Sequence, residues 1–189
     1  MASNTMTPLP QNTTTFPIRK PNRLKYYNYA SNGAYFITMC SKNRECVFGK
    51  ISTGVHPKVE LSRIGRVVDT VIKEIPVHYS GIKVGNYVIM PNHIHLILLA
   101  QHGVSAGENG RLLAAPTTAS ATHHVTISSV IKQFKMYISK QCNTSIWQRS
   151  FHDHIIRNEQ DYVRIWEYID NNPVSWLDDC FYVHEPQND

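Results

Sequence analysis

Four segments of the chain alternate hydrophobic and polar positions or gather β-branched and aromatic residues, and both patterns predict β-strands. They are AYFITMCSKN (34–43), IKVGNYVIM (82–90), HIHLILLA (93–100) and SFHDHIIRN (150–158). After a turn at SKNRE, CVFGKI (46–51) is predicted to be a short strand returning beside the first. Pro91-Asn92 predicts a turn, so the second and third long strands are expected to lie side by side.

Three segments repeat hydrophobic residues at the spacing of an α-helix. They cover residues 60–75, 127–141 and 159–172, and Pro173 stops the last one. In the second helix the hydrophobic residues share one face, while the lysines lie elsewhere.

The order of these elements is strand, helix, strand, strand, helix, strand, followed by one more helix. This order is that of the ferredoxin-like split βαβ plan. The sequence therefore predicts an α+β protein with an antiparallel βαββαβ sheet and an added C-terminal helix. In this plan the third strand, which carries His93 and His95, is central in the sheet.

One domain is predicted at residues 19–180, because a chain of 189 residues is long enough for a single substantial core. Residues 1–18 are predicted to form a disordered arm, and residues 181–189 are predicted to form a C-terminal tail. Residues from about 101 to 125 are rich in Gly, Ala, Ser and Thr without a period, and predict a flexible loop.

Composition argues against several classes of protein. No apolar stretch approaches the roughly 20 residues of a membrane-spanning helix. The first residues lack the basic-then-apolar order of a secretory signal. The four cysteines form no CxxC pair, so a disulfide framework is not expected. A cytoplasmic protein with no membrane partner is predicted.

Positive charge is concentrated in two stretches of a chain whose net charge is +5. Residues 19–25 and 127–150 carry basic residues and no acidic ones. Such stretches attract a polyanion by releasing its counterions, although many solvated protein faces are also basic. If the polyanion is a nucleic acid, the candidate residues for its backbone are Arg19, Lys20, Arg23, Lys25, Lys132, Lys135 and Arg149.

His93 and His95 stand at alternate positions of the strongly apolar run VIMPNHIHLILLA (88–100). Because side chains alternate across a strand, both imidazoles are expected to project from one face, roughly 7 Å apart. Such a pair suits two ligands of a metal ion. Hydrogen-bonded sheet histidines without a metal are the alternative.

Two tyrosines have an amide side chain four residues later, hence on the same helical face. They are Tyr168 with Asn172 in the last helix, and Tyr137 with Gln141 in the helix before it. A phenol can attack a phosphodiester and an amide oxygen can ligate a metal, but a helical tyrosine also serves packing. Spacing alone does not choose between the two pairs.

Three motifs together resemble those of the HUH single-tyrosine transposases, and within them the REP-associated tyrosine transposases. The motifs are VIMPNHIHLIL, ISSVIKQFK and IWQRSFHDHIIRNEQDYVRIWEYIDNNPVSW, in this order within residues 34–177. HIH alone is a weak signal, whereas its combination with WQRSFHDHIIRN and YIDNNP is specific. The resemblance implies an RRM-like antiparallel sheet with the two histidines on a central strand.

The resemblance also implies roles for single residues. The nucleophile would be the tyrosine of YIDNN, Tyr168, and Tyr137 would have no such role. Related transposases take a third metal ligand from a glutamine four residues after the tyrosine, where this chain has Asn172, shorter by one methylene. His154 matches a recurrent position of the family, where it would line the cleft with His152, orient another ligand or serve the structure.

The implied activity is cleavage and rejoining of single-stranded DNA at hairpins formed by palindromic repeats. His93, His95 and Asn172 would hold a divalent ion, Mg²⁺ or Mn²⁺, of which imidazole ligands suit Mn²⁺ better. Tyr168 would form a 5′-phosphotyrosine link and free a 3′-hydroxyl. No small-molecule cofactor is implied, and relatives imply either a monomer or a homodimer.

Two other functions are compatible with parts of the pattern. A regulator that binds hairpin DNA without cleaving it would be free to lose His93, His95 or Tyr168, all of which are present. A metal-dependent hydrolase of small substrates would need acidic ligands, and the sequence predicts no Asp or Glu near the histidine pair.

Overall fold

The computed structural model of the protein describes residues 32–54, 57–101 and 125–182. The predicted arm at 1–18 lies outside these ranges, as do most of the predicted loop at 101–125 and of the tail at 181–189. Four of the predicted DNA-binding residues also lie outside them: Arg19, Lys20, Arg23 and Lys25. Among the helices of the described ranges, none has the length and apolar character needed to cross a membrane.

Six strands and three α-helices make up the described fold. In chain order they are β1 (Gly33–Cys40), β2 (Gly49–Ile51), β3 (Val59–Leu61), α1 (Arg63–His78), β4 (Ile82–Ile89), β5 (His93–Ala100), α2 (Ile127–Gln141), β6 (His152–Ile156) and α3 (Glu159–Asn171).

Four of the strands form one antiparallel sheet in the spatial order β4-β5-β1-β6. The central strands are β1 and β5, and their register sets Thr38 opposite His95. On its other side β1 pairs with β6, which sets Thr38 opposite His152. This is the ferredoxin-like order, so the predicted α+β fold and the central place of the histidine strand are confirmed.

Helices α1 and α2 cover one face of this sheet. Ile37 and Met39 of β1, with Ile94 and Leu96 of β5, are fully buried against them in the main core. Burial of this apolar surface is the main favourable term in folding. Helix α2 has its predicted bounds, because Thr126 and the backbone and side chain of Ser129 form a capping box at its start.

The segment before α1 differs from the prediction. Residues 60 and 61 belong to β3 rather than to the helix, which begins at Arg63 because the Ser62 hydroxyl accepts a hydrogen bond from the backbone N–H of Gly65. The predicted return strand does not pair with β1, since β2 and β3 form a separate two-stranded sheet. Gly65 permits close packing here, as a Cβ at this position would overlap the carbonyl oxygen of Phe48.

Helix α3 lies on the opposite face of the sheet. Its Ile165 and Ile169 pack with Ile97 of β5 and Ile156 of β6 in a second, smaller core. The helix begins after Asn158, whose side-chain oxygen accepts a hydrogen bond from the third helical residue. Within the described residues, α1 and α2 therefore lie on one face of the sheet and α3 crosses the other.

Candidate active site

The histidine pair lies on the sheet face that α3 crosses. His93 and His95 are buried, with 0% and 1% of their surface exposed, and their ring centroids are 4.5 Å apart. Ile94 and Leu96 alternate with them along β5 and point into the main core. Both imidazoles therefore project from one face, as the alternation predicts.

A hydrogen bond at Nδ1 fixes the ring of His93. This nitrogen lies 2.9 Å from Oδ1 of Asn92, and Nδ2 of Asn92 donates to the carbonyl oxygens of Arg44 and Phe181. Because an amide oxygen can only accept, Nδ1 of His93 carries the proton and Nε2 carries a lone pair. Nε2 of His93 is buried without a hydrogen-bond partner among the described residues.

The ring of His95 is held in the same way. Its Nδ1 lies 2.9 Å from Oγ1 of Thr38 on the neighbouring strand. A hydroxyl can donate or accept, and in the tautomer in which it accepts from Nδ1–H the lone pair of His95 also lies at Nε2. Hydrogen-bonded support of this kind at the far ring nitrogen is common in metal-binding histidines, because it fixes the tautomer and the ring orientation.

Both imidazoles are neutral at physiological pH. Burial lowers the pKa of His93 to about 3, the neighbouring side chain of Asn172 partly opposes this shift, and the charge of Arg44 adds to it. Burial also lowers the pKa of His95 to about 3, with a contribution from His93 and an opposing one from Asp179. The neutral imidazole is the form that ligates a metal ion.

Tyr168 of helix α3 lies against the histidine pair. Its phenolic oxygen is 3.2 Å from Nε2 of His95, and its ring meets Phe36 of β1 edge-on. The residue is 41% exposed, so the phenol lies between the buried histidines and solvent. Burial raises the pKa of Tyr168 to about 12, the charge of Asp179 adds to the shift, and the neighbouring side chain of Asn172 opposes it.

Polar contacts hold α3 at both edges of the sheet. On the β4 side, Nδ2 of Asn86 donates to Oδ1 of Asp170 at 2.7 Å, next to a break in the register of β4 with β5. On the β6 side, Nε2 of His154 lies 2.7 Å from Oδ2 of Asp161, in the first turn of α3. His154 therefore connects β6 to the helix, and the exposed His152 lies on the same strand.

Asn172 and Asp179 lie beside the histidine pair. Asn172 is buried, and its Nδ2 donates to Oδ2 of Asp179 at 3.0 Å, while its Oδ1 has no hydrogen-bond partner among the described residues. The same carboxylate oxygen is 3.9 Å from Nε2 of His93. The expectation that no acidic residue lies near the pair is wrong, because the chain after α3 turns back over the sheet.

The segment 176–182 forms a cover over the histidines. The ring of Trp176 stacks on His93 at a centroid distance of 6.0 Å, and the ring of Phe181 lies 4.6 Å from it. Arg44 holds the segment from outside, because its Nη1 donates to the carbonyl oxygen of Cys180. Residue 181, the first of the predicted tail, is thus packed at the site.

The atoms that converge here fit a divalent cation. Within the described ranges, one ligand atom each from His93, His95 and Asp179 lie within 4.8 Å of one another. Two further observations point the same way, since Nε2 of His93 and Oδ1 of Asn172 are buried acceptors that lack a donor. Buried acceptors without partners are rare in folded proteins, and a cation would satisfy both.

The structure describes three of the predicted DNA-binding residues, and two of them lie on the other face of the sheet. Lys132 and Lys135 are on α2, which covers the other face of the sheet, and Arg149 is exposed in the turn before β6. The ammonium of Lys135 already donates to the carbonyl oxygens of Gln148 and Ser150. Burial lowers the pKa of this lysine to about 8, and Lys132 remains exposed.

The structure thus brings together His93, His95, Tyr168 and Asn172 from two segments far apart in the sequence. It does not bring Lys132, Lys135 or Tyr137 to them, and Tyr137 instead packs at the edge of the main core. Sequence reasoning missed Asp179, Thr38 and Asn92. The sequence identified Asn92 only as a turn residue. Its position directly before His93 was a signal that its side chain could contact the pair.

Comparison with known proteins gives relatives in sequence and in fold. No family model matches the chain. It is 37% identical over 171 residues to an uncharacterised protein of Haemophilus influenzae, covering 87% of this chain and 93% of that protein. Over 86 residues it is 30% identical to a second Haemophilus influenzae protein, assigned as a REP-associated tyrosine transposase, covering 46% of each.

A solved structure of a REP-associated tyrosine transposase bound to a REP hairpin has a similar fold, with a TM-score of 0.55. The two chains are 20% identical, and the match covers 82% of this chain and 74% of that one. The chain therefore belongs to the same family as the Haemophilus influenzae relative that it matches over nearly its full length. The family predicted from the sequence, the REP-associated tyrosine transposases, is confirmed.

Proposed function

We propose that the protein is a metal-dependent endonuclease and strand transferase that acts on single-stranded DNA at hairpins through a 5′-phosphotyrosine intermediate. The contact between the phenolic oxygen of Tyr168 and Nε2 of His95, at 3.2 Å, carries this proposal. It unites a nucleophile and an ion-binding nitrogen in one site. The rival phenol, Tyr137, packs on the main core instead.

The proposed metal ligands are His93, His95 and an oxygen of Asn172. The lone pairs at both Nε2 atoms and the unpartnered Oδ1 of Asn172 support this set. Mg²⁺ and Mn²⁺ are the candidate ions, and two imidazoles favour Mn²⁺. When bound, the ion would polarise the scissile phosphate and offset the charge that develops on its oxygens.

The proposed covalent step exchanges one phosphoester bond for another. The phenolic oxygen of Tyr168 forms a bond to phosphorus, the bond from phosphorus to the 3′-oxygen breaks, and that oxygen leaves as a hydroxyl. The pKa of Tyr168 is raised to about 12, so the phenol is protonated at neutral pH and releases its proton during the attack. Because the link conserves the phosphoester, a 3′-hydroxyl can reverse the step without ATP.

A DNA hairpin is the proposed partner. The structural neighbour was solved with a REP hairpin, and the exposed side chains of Lys132 and Arg149 are available for phosphate contacts. We propose the same role for Arg19, Lys20, Arg23 and Lys25, and a lesser one for Lys135, whose ammonium is held by two carbonyls. The proposed location of the protein is the cytoplasm, where a chromosomal DNA substrate would lie.

One copy of the chain is enough to form the proposed site. Tyr168, His93 and His95 meet within one polypeptide, so the chemistry does not require a second protomer. This supports action as a monomer, with a homodimer as the alternative.

Incubation of the protein with end-labelled single-stranded hairpin DNA and Mn²⁺, followed by a denaturing gel, tests the proposal. We expect cleavage by the wild type and by His78→Ala, a change on α1 far from the site, but none by His93→Ala. Hairpin binding should persist in both variants, because the affinity comes from the basic residues. Normal cleavage by His93→Ala would exclude the proposed centre.

A metal-dependent hydrolase of small phosphodiesters is the second candidate, favoured by the carboxylate of Asp179 beside the pair. Such an enzyme has no use for the phenol. Hydrolysis of bis-p-nitrophenyl phosphate that survives Tyr168→Phe, together with no cleavage of hairpin DNA, would favour the hydrolase.

A further inference from the structure

We propose that Asp179, from the segment that covers the histidine pair, is a ligand of the same metal ion and the only charged one. This inference rests on the proposed function, because it takes His93 and His95 to be a metal site. It changes the ligand set from two imidazoles and an amide to two imidazoles, an amide and a carboxylate.

The geometry of the carboxylate supports this role. The two imidazoles and Asp179 offer ligand atoms that all lie within 4.8 Å of one another. Oxygen atoms bound to Mg²⁺ lie about 2.0–2.1 Å from it and therefore at most about 4.2 Å from one another, so small side-chain movements would bring the three atoms onto one ion. Oδ1 of Asp179 accepts from the backbone N–H of Phe181 at 2.7 Å, which leaves Oδ2 as the oxygen directed to the pair.

The charge of Asp179 gives an independent argument. Its side chain is 2% exposed, and a buried carboxylate is costly unless a positive charge compensates it. Within the described ranges, His93 is the sole basic side chain whose nitrogen lies within 4.0 Å of it. That contact is 3.9 Å long, beyond hydrogen-bond distance, so the imidazole does not compensate the carboxylate, whereas a divalent cation between the two side chains would supply positive charge.

The surroundings of Asp179 are those of a supported ligand. Nδ2 of Asn172 donates to Oδ2, while Asn92 binds both Nδ1 of His93 and the carbonyl oxygen of Phe181. One buried amide thus ties the covering segment to the ring that Asp179 faces. Polar support behind the ligands is a regular feature of metal sites and affects their affinity.

The inference can be tested with Mn²⁺ alone, by titrating the ion into the full chain and measuring free Mn²⁺ by electron paramagnetic resonance. Asp179→Asn keeps the size of the side chain and removes its charge, and we expect it to weaken Mn²⁺ binding about 100-fold, at the upper end of the 10–100-fold effect of outer-shell changes. The control is Asp178→Asn, the same change at the exposed neighbouring residue, for which we expect less than a twofold effect.

Failure of this inference and failure of the metal centre give different results. If the wild type binds no Mn²⁺, the proposed centre itself is wrong, and Asp179 as its ligand with it. If the wild type binds, His93→Ala does not, and Asp179→Asn binds as tightly as the wild type, then the centre stands and Asp179 is not a ligand.

A second variant covers the case in which Asp179→Asn loses its far-ultraviolet circular dichroism and so does not fold. Asp179→Cys places a thiolate at the same position, and a thiolate bound to Co²⁺ gives a charge-transfer absorption band. We expect this band in Asp179→Cys with Co²⁺ and its absence in the wild type. A folded Asp179→Cys protein with no additional band would overturn the inference.

Discussion

The phenolic oxygen of Tyr168 lies 3.2 Å from Nε2 of His95, although the two residues are 73 positions apart in the chain. The contact arises because the histidines point to the face of the sheet that α1 and α2 leave free, and α3 crosses that face. Tyr137 has the same sequence spacing to an amide but packs on the other face. Topology therefore separates two tyrosines that spacing does not.

Asn92 is expected to be a major contributor to stability. It makes hydrogen bonds to His93, Arg44 and Phe181 while it is 1% exposed. Asn92→Ala leaves buried partners unsatisfied, at a cost of about 1–3 kcal/mol for each group, and we expect about 3 kcal/mol in total. Urea unfolding measures this, with the exposed Gln160→Ala as the control, expected within about 0.5 kcal/mol of the wild type. A loss below about 1 kcal/mol for Asn92→Ala would show that the three hydrogen bonds contribute little.

Thr38 is expected to act on metal binding through His95. Thr38→Val keeps the shape of the side chain and removes the hydroxyl that holds Nδ1 of His95. We expect Mn²⁺ affinity to fall about 10–100-fold, as for other partners behind metal-binding histidines. Thr70→Val, an exposed position on α1, is the control, and calorimetric titration of Mn²⁺ is the measurement. Equal affinities in the two variants would remove Thr38 from the site.

Lys132 and Lys135 are expected to differ in their effect on DNA binding. For single-stranded DNA, the logarithm of the affinity falls with the logarithm of salt concentration by about 0.7 per neutralised phosphate. Lys132→Ala should reduce this slope by about that amount, because its ammonium is exposed. Lys135→Ala should change the slope less, since its ammonium is engaged by two carbonyls. Fluorescence anisotropy of a labelled hairpin at several salt concentrations gives both slopes, and an unchanged slope for Lys132→Ala would exclude α2 from the DNA interface.

The contact of His154 with Asp161 is expected to weaken in acid. Hydrogen bonds from His154 and then from Arg164 hold the pKa of Asp161 below its usual value. A carboxyl whose pKa is lower in the folded state adds stability above its unfolded pKa, and this contribution is lost as the pH falls through the folded pKa. His154→Gln should therefore raise the pKa of Asp161 toward its usual value, as measured by carboxyl carbon NMR titration. An unchanged midpoint would mean that the imidazole does not stabilise the carboxylate.

Strong periodic patterns made most of the fold predictable. The alternation around His93 and His95 and the helical spacing of residues 127–141 both survive in the structure, because each long element buries one face. Residues 49–51 and 59–61 are too short to carry a period, so their pairing was not predictable. Asp179 follows a short 3-10 turn, Trp176–Asp178, that the sequence did not indicate, and the return of the chain over the sheet brings it to the histidines.

The most direct test of the central claim is the formation of a covalent protein–DNA adduct, detected as a labelled band of protein size on a denaturing gel after incubation with Mn²⁺ and hairpin DNA. Tyr168→Phe removes only the hydroxyl, so the fold should persist while the adduct is lost. Tyr137→Phe makes the same change on the other face of the sheet and should still form the adduct. An adduct that survives in Tyr168→Phe, or that disappears only in Tyr137→Phe, would contradict the assignment of Tyr168 as the nucleophile.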